Sequence, residues 1–138
     1  MVKVNAVWIF SPDGNKVLMC KRHKDPYLGL YNIVGGKIDN GEEGLVAAYR
    51  ELQEETGIHR VHLQKSLHHL MDFVYYNPQG CYLEIYVGRL TEMIMVCGDE
   101  RELVWMDVRE DFFDMGKFAG EGNLGHIYEQ IKLRPGII

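Results

Sequence analysis

Long hydrophobic runs are missing from this chain. No apolar stretch reaches the ~18 residues of a membrane span. The first residues alternate apolar and polar, which is not the pattern of a signal peptide. A soluble, cytoplasmic protein with no membrane partner is the expectation. Cysteine is scarce. Cys20, Cys81 and Cys97 lie far apart and form no C-x-x-C pair, which leaves buried or half-buried free thiols in a reducing compartment. An excess of basic charge is also absent. The net charge is −5, which argues against stable nucleic-acid binding through a basic surface. No internal repeat, low-complexity tract or linker divides the 138 residues, so one domain is expected. Nothing in the composition decides the oligomeric state, and a homodimer stays open. Glycine is plentiful by comparison, and most of it sits at turn positions, so loops should matter.

What is present begins with a strand. Residues Val2–Phe10 place Val2, Val4, Ala6, Trp8 and Phe10 on one face, with Val7 and Ile9 on the other. Apolar residues on both faces predict cover on both sides. Ser11-Pro12-Asp13-Gly14-Asn15 is a turn, and residues 16–22 read as the returning strand of a hairpin. Residues 23–31 form a loop rich in Tyr27, Leu28, Leu30 and Tyr31, which either tuck under it or wall a pocket. A short strand, residues 32–34, runs into Gly35-Gly36, where two glycines permit close backbone approach.

Asn40 fits a helix N-cap, with Glu43 three residues on as a capping box. The helix should run to about Thr56, with Gly57 ending it. Beyond it, residues 70–76 and 81–90 are expected strands around an Asn77–Gly80 turn. Residues 103–107 form another strand, residues 108–115 a short helix with Phe112 and Phe113 inward, and residues 124–133 a last helix capped by Asn123. His62, His68 and His69 lack metal-ligand spacing.

The first of these helices carries the chemistry. At about 100° per residue, Glu51, Glu54 and Glu55 share one face, next to a core stripe of Leu45, Ala48, Tyr49 and Leu52. Like charges at that spacing weaken an isolated helix by a few tenths of a kcal/mol per pair. A divalent cation reverses the sign, and oxygen-only ligands suit Mg²⁺ or Mn²⁺.

The spacing Gly36, five residues, Glu42, seven residues, then Arg50-Glu51-Leu52-Gln53-Glu54-Glu55-Thr56-Gly57-Ile58 resembles the Nudix box, G-x5-E-x7-R-E-U-x-E-E-x-G-U, at every fixed position. By this resemblance the chain is identified as a MutT-like member of the Nudix hydrolase family. The resemblance implies an α+β architecture, the Nudix fold with its mixed β-sheet sandwiched between α-helices. It implies hydrolysis of a pyrophosphate bond in a nucleotide, with Mg²⁺ or Mn²⁺. Glu51, Glu54 and Glu55 would hold the cation. Gly36 would add its carbonyl, and Glu42 would orient the network or serve as a further ligand. Arg50 would pair with a carboxylate and fix its rotamer. Many members use another acidic residue outside the box as ligand or base. Asp99, Glu100 and Glu102 are the candidates, with Glu100 preferred.

The substrate is read from the flanks. Tyr31-Asn32-Ile33-Val34-Gly35-Gly36-Lys37 resembles the W-N-G-F-G-G-K segment of Nudix enzymes that remove oxidised purine triphosphates such as 8-oxo-dGTP. The resemblance puts Asn32 against a base edge, with Tyr31 and Lys37 beside it. Phe118 would stack on the base and Glu121 would hydrogen-bond it. Arg22, in the basic run 21–24, is a candidate phosphate contact. A small-molecule nucleoside triphosphate is the leading substrate. ADP-ribose or a nucleotide sugar is the first alternative, and a non-catalytic nucleotide-sensing domain is the second.

Overall fold

The computed structural model describes residues 1–76, 79–97 and 102–137. Six strands form one mixed sheet: β1 (Val2–Phe10), β2 (Lys16–Lys21), β3 (Tyr31–Lys37), β4 (His68–Tyr75), β5 (Cys81–Arg89) and β6 (Glu102–Asp107), in the order β4-β5-β1-β3-β2-β6. Helices α1 (Gly44–Thr56) and α2 (Asn123–Lys132) complete it. The expected α+β class is therefore found.

β1 lies inside the sheet, parallel to β5 and antiparallel to β3. Its alternation sorts side chains into two cores. Ala6, Trp8 and Phe10 join Leu124, Ile127 and Ile131 of α2 on one face. Val7 and Ile9 join Ala48 and Leu52 of α1 on the other. Trp8 stacks on Tyr128 of α2, with ring centroids 5.4 Å apart and planes 6° apart. Each fully buried Leu or Ile in these layers contributes about 1.5–3 kcal/mol, so both helices are held by their apolar faces more than by propensity.

Several expectations are corrected. β1 and β2 meet at one pair, Phe10↔Val17, and then part, because β3 inserts between them. α1 starts at Gly44 rather than after Asn40, and neither Asn40 nor a capping box caps it. Residues 39–42 form a turn instead, closed by Glu42 N–H on the Asp39 carbonyl at 2.9 Å, with Gly41 at φ +82°. The stop at Gly57 holds: φ is +79° and its N–H bonds the Gln53 carbonyl. No helix forms over residues 108–115. Asp107, Asp111 and Asp114 each accept a hydrogen bond from the backbone N–H two residues on, at 2.8, 3.0 and 2.9 Å. Such side-chain bonds offer the backbone an alternative to the helix. Phe112 is buried there, whereas Phe113 is 42% exposed.

Asn123 does not cap α2. Gly122 occupies that position at φ +87°, and the Asn123 amide donates to the Tyr75 hydroxyl. Cys20 is buried and Cys81 half-buried, but Cys97 is exposed. Asn77, Pro78 and Glu100 lie outside the described residues, although β4 and β5 do pair antiparallel on either side of the first two.

Candidate active site

The site is built where β3 passes beneath α1. Gly36 touches Glu51: a Cβ there would sit 2.5 Å from its carboxylate. Gly35 lies as close to β1, where a Cβ would collide with the Asn5 carbonyl. The Gly35 N–H donates to Glu55 Oε2 at 2.9 Å, and the Gly36 N–H to Asn5 Oδ1 at 3.3 Å. Only glycine lets β3 approach the helix this closely.

The three box carboxylates fan from core to solvent. Glu55 is 2% exposed and counts among the core-facing residues of α1. The side chain of Glu51 is 13% exposed and that of Glu54 58%. Arg50 braces them. It donates from Nη1 to Glu51 at 3.0 Å and to Glu54 at 3.4 Å, and from Nη2 to the Lys37 carbonyl at 3.1 Å. Its strongest grip is on Glu42, through Nε and Nη2 at 2.9 Å each. That pairing, with a hydrogen bond from the Asp39 N–H, holds the Glu42 carboxyl down at about 2. It also raises the Arg50 pKa. Glu42 therefore directs both oxygens to Arg50 and to the turn before α1.

Among the described residues, no three His, Cys, Asp or Glu side chains are gathered into a cation-holding cluster. Arg50 and the Gly35 N–H take up carboxylate oxygens that a cation would need. The donor chemistry nonetheless fits a hard ion. Glu51, Glu54 and Glu55 offer only oxygen, and the Gly36 backbone lies against Glu51.

On the α2 side of the sheet, Gly35 and Gly36 also line a cavity of about 390 Å³. Its walls are apolar (Ala6, Leu83, Ile85, Leu124, Ile127), and Arg22, Tyr27, Asn32, Tyr75 and Asn123 supply polar groups. Asn32 Oδ1 accepts the Ile33 N–H at 2.9 Å. Arg22 spends its Nε on the Pro26 carbonyl at 2.7 Å. Tyr27 donates its hydroxyl to Glu121 Oε2 at 2.5 Å. Burial first and Glu121 second push the Tyr27 pKa up, so the phenol keeps its proton.

Other expected residues stand elsewhere. Tyr31 packs against the α2-side core and pairs its backbone with the 117–119 segment, outside the cavity lining. Lys37 is exposed and contributes its carbonyl to Arg50. Phe118 is 1% exposed, packed on Phe112 at 5.0 Å between centroids. As a core residue it presents no face for stacking on a base. Asn5, Tyr75 and Asn123 were missed. Asn5 could have been suspected as a polar residue in a strand with two apolar faces. Asn123 carried a competing capping signal.

A mixed sheet thus carries a glycine-tight carboxylate helix on one face and a cavity of about 390 Å³ on the other. The NUDIX domain model matches residues 1–121, and the chain belongs to that family. An RNA pyrophosphohydrolase of Pelagibacter ubique is 42% identical over 59 residues, 43% of this chain and 37% of that protein. An ADP-ribose pyrophosphatase of Methanocaldococcus jannaschii is 41% identical over 44 residues, 32% of this chain and 26% of that protein. The matched stretches thus span well under half the length of both curated relatives. The crystal structure of a C. elegans Ap4A hydrolase binary complex shares the fold, with a TM-score of 0.76 at 19% identity over 96% of each chain.

Proposed function

We propose that this protein is a divalent-cation-dependent pyrophosphohydrolase that cleaves a nucleoside triphosphate to its monophosphate and pyrophosphate. The observation that carries this reading is the shared wall: Gly35 and Gly36 line the cavity and also touch Glu55 and Glu51. A nucleoside seated in the cavity would extend its phosphates over Gly36 toward the carboxylates. The volume, about 390 Å³, lies at the lower end of the ~300–1,000 Å³ typical of ligand pockets, which favours one nucleoside over two.

Glu51, Glu54 and Glu55, with the Gly36 carbonyl, would hold Mg²⁺ or Mn²⁺. When bound, the cation neutralises phosphoryl charge and lowers the pKa of a water. Arg50 restrains the Glu51 rotamer and keeps its orientation through Glu42. The apolar walls exclude water from the nucleoside half. Asn32 reads the base edge, and an oxidised purine such as that of 8-oxo-dGTP is the preferred candidate. Water adds its oxygen to phosphorus, the phosphoanhydride bond breaks, and the released proton passes to solvent.

A panel of dNTPs, 8-oxo-dGTP, ADP-ribose, nucleotide sugars and dinucleoside polyphosphates, each with Mg²⁺ and chromatography of the products, tests the reading. Monophosphate plus pyrophosphate from a triphosphate is the expected result. Two monophosphates, from ADP-ribose or a sugar nucleotide alone, would overturn the substrate class. Binding without turnover of any compound would make this a sensor domain.

A further inference from the structure

The mouth of the cavity is bridged by two side chains that belong to segments far apart in the chain. The Tyr27 hydroxyl donates to Glu121 Oε2 at 2.5 Å across 94 residues of sequence. Among the described residues, these two are also the non-glycine positions with positive φ, +70° for Tyr27 and +52° for Glu121. Neither residue type settles readily into left-handed backbone, and such conformations persist only where the surroundings impose them.

The segment carrying Tyr27 is built as a strap. Its base is pinned: the Arg22 N–H bonds the Leu30 carbonyl and the Gly29 N–H bonds the Arg22 carbonyl, each at 2.8 Å. Arg22 Nε reaches across to the Pro26 carbonyl at 2.7 Å. Tyr27 stands beyond this base, lining the cavity and holding the opposite rim at Glu121. On that rim Gly120 and Asn123 line the cavity on either side of Glu121.

We propose that Tyr27 and Glu121 form a latch across the cavity mouth, opening the strap to admit a ligand and closing it behind, so that Tyr27 controls access and residence. The ligand's being a nucleoside rests on the function proposed above; the latch itself does not. A hydrogen bond to a carboxylate is stronger than one between neutral groups. Its loss should raise the open fraction about tenfold or more.

The cavity contains its own reporter. Cys81 is half-buried and lines the cavity from β5, on the strand face it shares with Leu83 and Ile85. Cys97 is exposed and is not among the lining residues, and the Cys20 side chain packs in the core on the α1 side of the sheet. Alkylation by iodoacetamide, followed by peptide mass at Cys81 and Cys97, should be compared in wild type, Tyr27→Phe, Glu121→Ala and the double variant. All four should be shown to have matching melting temperatures. Each single change should raise the Cys81 rate about tenfold and leave Cys97 unchanged. The double variant should be no faster than either single, because both remove the same bond. With a turned-over nucleotide, KM should rise in the same proportion. A flat Cys81 rate, or effects that add in the double variant, would overturn the latch. Faster Cys81 alkylation in a protein that hydrolyses no nucleotide would leave the latch standing and remove the catalytic reading. Nucleotide turnover with an unchanged Cys81 rate would do the reverse.

Discussion

Arg50 grips Glu42 with two parallel hydrogen bonds, Nε to Oε2 and Nη2 to Oε1, both at 2.9 Å. The two residues are eight apart, and only Arg50 lies within α1. The pair ties the turn before the helix to the helix, while the remaining guanidinium nitrogen reaches Glu51. Lysine has no such fork and could not serve both carboxylates.

The pair should impose a pH dependence on stability. Glu42 has an ordinary value of 4.5 and is held at about 2 in the fold, first by Arg50 and then by the Asp39 N–H. A depressed carboxyl stabilises the fold above its unfolded value and loses that contribution as pH falls through its folded value. The melting-temperature gap between wild type and Glu42→Gln should therefore be full above about pH 4.5 and close toward pH 2. A gap that stays constant over that window would remove the ion pair as its cause.

If the proposed function holds, Glu54→Gln and Glu55→Gln should each lower kcat by ~10²-fold or more, since each would remove a charged oxygen offered to the cation. Their stabilities should differ. Glu54 is mostly exposed, so its variant should melt like wild type. Glu55 is buried and accepts the Gly35 N–H, so its variant should melt lower. Near-wild-type turnover in both variants would displace the site from α1.

Gly36→Ala is a geometric probe. Its methyl group would lie 2.5 Å from the Glu51 carboxylate, so Glu51 must turn away. The expected outcome is a higher Mg²⁺ requirement together with a lower kcat, read from activity against Mg²⁺ concentration. An unchanged Mg²⁺ curve would mean that Glu51 is not a ligand.

Asn32 lines the cavity with its Oδ1 already satisfied by the Ile33 N–H. Asn32→Ala should raise KM or shift base preference more than it lowers kcat on the best substrate. Steady-state kinetics on a purine and a pyrimidine triphosphate measure this. An identical preference would assign Asn32 to the strand alone.

How much could be read in advance depended on how local each cause was. The two faces of β1 were legible because Trp8 and Ile9 point apart by the period of any strand. The stop at Gly57 was legible because left-handed backbone favours glycine. The carboxylate helix was legible from the spacing of Glu51, Glu54 and Glu55, but its depth was not. Nothing in the spacing says that Glu55 turns into the core to meet Gly35. The separation of β1 and β2 depends on β3, a partner from further along the chain. The missing helix at residues 108–115 reflects three aspartates that capture their own backbone. Helical periodicity, which tracks apolar residues, does not register them. Phe118 resembled a stacking residue by its place in the chain, but Phe112 and α2 enclose it.

The position of β1 also sets a schedule for the growing chain. One edge of this strand can pair as soon as β3 has been made. The other must wait for β5, whose residues 81–89 are synthesised long after residues 2–10. Until then the most apolar strand of the protein carries an open edge, and the covers for its two faces arrive separately, α1 before β5 and α2 last. Such an interval is when unpaired edges recruit the wrong partner. Substitutions that slow the arrival or pairing of β5 should therefore reduce soluble yield well before they alter the finished fold.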